Sequence, residues 1–167
     1  MDLRDRLKSP RFFWSALIMM LIIQTFMGYL LRDVGTQLIS LQLTVDAEAF
    51  QAILSAWTPA QWAQYQGHFL PDFFYPLAYG AVLAGLMAKM MDRHRLGHRW
   101  QWVLWLPAVA VLADYCENSL HLIMSNQGLL IAPEWVPIAF GFALLKWILL
   151  AGVILGLLVA RMLPAPT

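Results

Sequence analysis

Apolar residues run along this chain in four long blocks, and the polar residues inside those blocks are few and grouped. The blocks are Phe12–Leu31, Phe73–Met91, Trp100–Met124 and Val136–Met162. Each is close to or above the ~20 residues that an α-helix needs to cross a hydrocarbon core. The pattern predicts an all-α transmembrane four-helix bundle, read as one integral membrane domain over residues 1–167. Residues 46–69, between the first two blocks, follow a different rhythm. Phe50, Ile53, Leu54 and Trp57 recur at i, i+3, i+4 and i+7, which predicts an amphipathic helix from about Asp46. Next comes "TPAQ", where Thr58 suits an N-cap, Pro59 the first helical position and Gln61 a capping box. A second short helix should follow, with Trp62, Tyr65 and Phe69 near one side. Both are expected outside the membrane, lying on its surface or folded as a lid over the bundle. In this scheme Asp72, just after Pro71, stands where the second span would take its N-cap.

Composition supports a membrane solvent. The apolar share is 60% and the charged share 13%, against ~45–50% and ~25% in soluble domains. The first block lacks a small-residue cleavage site and exceeds a signal-peptide h-region, so it reads as a retained span. Arg4, Arg6, Lys8 and Arg11 precede that span, Lys89, Arg93, Arg95 and Arg99 flank the second connection, and Arg161 closes the fourth span, whereas Arg32 alone falls on the other side. The positive-inside rule then puts both termini in the cytoplasm of a bacterial inner membrane. A net charge of +1 gives a nucleic-acid partner no support. Cys116 is the one cysteine, so neither an intrachain disulfide nor dithiol redox chemistry is available.

The grouped polar residues lie in "LADYCENSLH", residues 112–121, within the third block. At ~100° per residue, Asp114, Glu117, Asn118 and His121 share one arc, and Ser125 extends it. Asp72, Tyr75 and Tyr79 share a face of the second span, and Gln24, Thr25 and Tyr29 sit in the outer half of the first. Lys146 lies ten residues into the fourth block, near the midplane. The inner halves of these faces are apolar, which argues for a blind, outward-opening pocket and against a channel. Pro107 is expected to kink the third span. Gly80, Ala84 and Ala88, and likewise Gly152 and Gly156, read as positions of close helix approach. His94 and His98 read as solvated.

Energy decides that the polar residues cannot face lipid. A charged side chain at a helix centre costs about 2.5–3.5 kcal/mol, and Leu, Ile, Val or Phe returns about 0.3–0.6 each. Asp114 and Glu117 would therefore cancel most of the gain of their span. They must face the interior, pair with Lys146, or be protonated.

Several readings fit. Asp114, Glu117 and His121 supply an acid, a base and a proton carrier for catalysis on a membrane lipid or apolar small molecule, with Asp72, Tyr75, Tyr79, Asn118, Lys146 and Gln24 as binding residues. The same cluster could instead be a structural ion group that fixes helix register. A non-enzymatic partner or assembly subunit, joined to a larger membrane protein or to copies of itself, is the main alternative function. Lower stands a metal site of Asp114, Glu117 and His121, which the nearby lysine disfavours, and lower still haem ligation by His68 and His121. No cofactor and no metal is expected. "WTPAQWAQY", "DFFYPLAYG" and "LADYCEN", in that order, resemble a group of bacterial four-span membrane proteins with no assigned activity, so the resemblance implies a fold and no reaction. In outline the chain is also similar to the sterol-isomerase and sigma-2-receptor superfamily, but its polar residues do not match the motifs of that superfamily.

Overall fold

The computed structural model describes residues 3–127 and 132–164, and every regular element in it is helical. The elements are α1 (Leu3–Leu7), α2 (Pro10–Leu30), α3 (Gly35–Gln42), α4 (Ala47–Ser55), α5 (Pro59–Arg93), a 3-10 segment (His98–Trp105), α6 (Leu106–Gln127) and α7 (Trp135–Met162). By length and composition, α2, α5 and α7 can each cross a membrane. At 22 residues α6 is also long enough, about 33 Å, but its polar residues dilute its hydropathy. They lie on a buried stripe that includes Pro107, Ala110, Asp114, Glu117, Asn118, His121 and Ser125. The other face of α6 shows Val109, Leu112 and Ile123. A polar interior under an apolar surface reverses the arrangement of a water-soluble protein.

The capping signals act as the sequence predicts. Asp46 accepts from the Ala49 amide at 2.7 Å and starts α4. Thr58 and Gln61 form a capping box with Pro59 in the first turn. The helix that they start is not short, however. It continues through Pro71 and Pro76 to Arg93 as one element of 35 residues. The two prolines remove two amide donors, and Tyr115 supplies a donor nearby, its hydroxyl bonding the Phe73 carbonyl at 2.9 Å. Asp72 is consequently not an N-cap but a buried residue inside α5. The short helices between α2 and α5 are α3, which the sequence pattern did not predict, and α4.

Residues of α3 and α4 pack over one end of the long helices as a lid. Val34, Leu41, Phe50, Leu54 and Trp57 form one cluster with Tyr65, Phe69, Met124, Val136 and Ala139. At the opposite end, Asp92 clamps α1, with Arg4 at 2.5 Å and Lys8 at 2.8 Å. Hydrogen bonds to Asp92 and then Asp5 raise the pKa of Lys8 above its ordinary value. The chain leaves α5 through a Schellman turn: Leu96 N–H reaches the Met91 carbonyl and Arg95 N–H the Asp92 carbonyl, with Arg95 at φ 52°. His94 is not solvated; its Nε2 bonds the Ala160 carbonyl at 2.7 Å and ties this turn to α7. His98 is exposed.

Pro107 falls at the start of α6 rather than within it, where its missing N–H costs no helical bond. The expected kink is replaced by a change from 3-10 to α-helix at residue 106. Gly80 does allow close approach: a Cβ there would lie 2.5 Å from a Val111 methyl on α6. Gly152 and Gly156 do not, since nothing lies within 4 Å of a Cβ at either. The helix α5 packs on α2, α6 and α7, and α6 packs extensively on α7. By contrast, α2 barely touches α6 or α7 and has no buried residue, so the assembly is open on the side between α2 and α7.

Candidate functional site

The stripe on α6 and the buried face of α5 meet α7 at Lys146. Lys146 Nζ lies 2.6 Å from Glu117 Oε2 and 3.2 Å from Asp114 Oδ1. The three residues are 5%, 0% and 4% exposed, so both pairs are shielded from water. Tyr79 donates to the other oxygen of Asp114 at 2.9 Å. One ammonium thus bridges two carboxylates set three residues apart on one helix. The shared depth expected from the sequence is here a direct contact.

A second polar group lies toward the lid. Tyr65 Oη is 3.1 Å from His121 Nδ1. The ring of His121 also packs against Phe50 of α4, with centroids 5.6 Å apart. His68, one turn along from Tyr65, places Nδ1 on the Tyr65 carbonyl and Nε2 3.9 Å from Asp72 Oδ2. Ser125 bonds the Leu122 carbonyl. Among the described residues, Glu117 Oε1 and Asn118 Nδ2 are buried without a hydrogen-bond partner. Such groups are rare and costly.

Beside this network is a cavity of about 640 Å³, lined from α2, α3, α5, α6 and α7. Its polar wall is Asp72, Tyr75, Tyr79, Asp114 and Lys146, with Gln42 of α3 at the lid end. Val82, Leu83, Leu150, Ala151 and Ile154 make the apolar part, and Met20 and Met27 contribute from α2. Its volume lies within the ~300–1,000 Å³ range of small-molecule sites. Leu38 and Gln42 bound it at the lid end, and α2 and α7, which pack little on each other, both contribute to its walls.

The sequence-predicted residues divide into three sets. Asp72, Tyr75, Tyr79, Asp114 and Lys146 line the cavity. Glu117, Asn118 and His121 are buried behind it and are not part of its lining. Gln24 is exposed on α2 and is likewise not part of the lining; Met20 and Met27 are the residues through which α2 reaches the cavity. Among the described residues, no group of three or more His, Cys, Asp or Glu is placed to hold a metal ion. The cation between Asp114 and Glu117 is Lys146 itself. Sequence reasoning missed the roles of Tyr65 and His68, and that of Trp147, which also lines the cavity. The first two were within reach, since stepping back from Asp72 at helical spacing meets His68 and Tyr65, had Pro71 not been read as a break.

No protein-family model matches the chain, and neither a curated protein nor a solved structure matches it.

Proposed function

We propose that this chain is a four-span protein of the bacterial inner membrane whose cavity binds a lipid or other apolar small molecule with a polar head. In this reading α2, α5, α6 and α7 are the spans, both ends of the chain are cytoplasmic, and α3 and α4 form an outer lid. The length of α6 and the burial of its polar stripe support its role as a span. The basic residues around α1 and the 3-10 segment support the orientation. Trp100, Trp102 and Trp105 are exposed on the 3-10 segment and Trp14 in the first turns of α2, as interfacial anchors are.

The observation that carries the function is the polarity gradient of the cavity. Asp72, Asp114 and Lys146 lie at one end, while Leu83, Leu150 and Ile154 line the rest. A head group would meet the charged wall and a chain would pack below it. Binding is favoured over turnover, because Glu117 and His121, two of the three expected proton-transfer residues, are walled off from the cavity. Native mass spectrometry of protein extracted in mild detergent tests this. Wild type should retain a specific amphiphile, and Ala151→Phe, which fills the cavity from its rim, should lose it. An identical set of bound molecules in both would refute the reading.

The assembly-subunit alternative has one observation in its favour. Gly152 and Gly156, a spacing that admits a neighbouring helix in lipid, meet nothing on α7. If that face takes a partner, Gly152→Leu should lower the mass of the detergent-solubilised complex.

A further inference from the structure

The carboxylates at the polar wall of the cavity outnumber its cations, and from this we propose that its ligand is a single-chain amphiphile with a protonated amine as head group. The inference rests on the cavity reading above and names its substrate class. Three carboxylates, Asp72, Asp114 and Glu117, share this region with one ammonium. Lys146 is committed to Glu117 and Asp114, and the Tyr79 hydroxyl donates to Asp114. Asp72 remains. It lines the cavity, it is 8% exposed, the donor beside it is the neutral side-chain amide of Asn118, and among the described residues no lysine or arginine pairs with it.

The histidine beside Asp72 sharpens the point. His68 Nδ1 sits on the Tyr65 carbonyl, an oxygen that can only accept. In the neutral ring the proton is therefore on Nδ1, and Nε2 turns a lone pair toward Asp72. The two acceptors face each other at 3.9 Å, too far for a direct hydrogen bond. His68 is not part of the lining, so it leaves the charge of Asp72 to be met from the cavity side, and an ammonium, which carries positive charge and donates in several directions, does so. Tyr75, Tyr79 and Trp147 line the same cavity and add ring faces that attract a cation. A carboxylate or phosphate head would instead meet Asp72 and Asp114, with the one ammonium already engaged.

The rest of the cavity defines the tail. From Asp72 to Leu83 it extends along α5 for about 16 Å, and the side chains beyond the polar wall are aliphatic. Access is lateral: α2 and α7 do not close on each other, so an amphiphile resident in the bilayer can reach the cavity without crossing the lid.

The test uses wild-type protein in nanodiscs and chain-matched probes: dodecylamine, dodecanol and dodecanoate, with butylamine as the head alone. Dodecylamine should bind at least about tenfold more tightly than dodecanol and dodecanoate, and butylamine should not compete at equal concentration. Asp72→Asn should remove the preference for the amine over the alcohol while still binding both. Equal affinity for the three dodecyl probes or tighter binding of dodecanoate would overturn the amine assignment. So would an Asp72→Asn protein that keeps the full preference. Effective competition by butylamine would overturn the long-chain tail. The wild-type panel decides the matter even if that variant does not fold. If Ala151→Phe abolishes binding of all the dodecyl probes alike, the cavity reading stands while the amine assignment falls. If no probe binds wild type, or Ala151→Phe changes nothing, the cavity reading itself has failed.

Discussion

Replacing Lys146 with methionine isolates the central electrostatic feature of this protein. Methionine keeps most of the stem volume and removes the charge, so the packing change is small. At 2.6 and 3.2 Å, each carboxylate attracts the ammonium by roughly 5–6 kcal/mol at an effective dielectric of ~20. Most of that gain offsets the desolvation of the three ions, which costs several kcal/mol apiece. The net consequence of Lys146→Met is set by what it strands, namely Asp114 and Glu117, both almost fully buried. Removing one partner of a buried pair costs about 3–5 kcal/mol. For a chain of this length that corresponds to a fall in Tm of roughly 6–20 °C, if it unfolds as soluble proteins do. Thermal unfolding in one detergent, followed by circular dichroism, measures it. The triple variant Lys146→Met, Asp114→Asn, Glu117→Gln removes the stranded charges and should recover part of the loss. Tyr79 can still donate to the amide oxygen at position 114. Should the triple variant melt no higher than the single one, the three residues are not an ion cluster and the reasoning fails.

Other consequences follow from the packing and the topology. Gly80→Ala should destabilise by about 1–3 kcal/mol, because the new methyl meets a stiff Val111; adding Val111→Ala should restore most of it, and a clash at any other site would leave the double variant no better. Thr58→Ala should cost about 0.5–2 kcal/mol through loss of the capping box, and hydrogen exchange should rise first in residues 58–62 and not at the far end of α5. For the topology, Ala52→Cys and His98→Cys in a Cys116→Ser background should label oppositely, with residue 52 reached from outside the cell and residue 98 only after permeabilisation. The reverse pattern would overturn the orientation.

Features that depend on a few neighbouring residues were legible in the sequence. The caps at Asp46 and Thr58 are local hydrogen bonds between side chain and backbone, and the residues carry them wherever the helix goes. The buried stripe of α6 follows from the 3.6-residue period and the cost of carboxylates in lipid, so Asp114, Glu117, Asn118 and His121 had to face inward together. The depth of Lys146 followed from counting residues along its block. What the sequence could not supply is the rotation of each helix about its axis and the distance between helices. Those decided that Lys146 meets both carboxylates, that Glu117 and His121 lie behind the cavity wall, and that Met20 and Met27, not Gln24, face the cavity from α2. Pro71 reads as a break by its local preference, yet the buried contacts of Tyr65, His68, Phe69 and Asp72 outweigh it and keep α5 continuous. Gly80 and Gly156 look alike in sequence, but only Gly80 has a helix against it. The cavity exists because α2 and α7 stand apart, and separation between distant segments is a property of tertiary packing that no local pattern encodes.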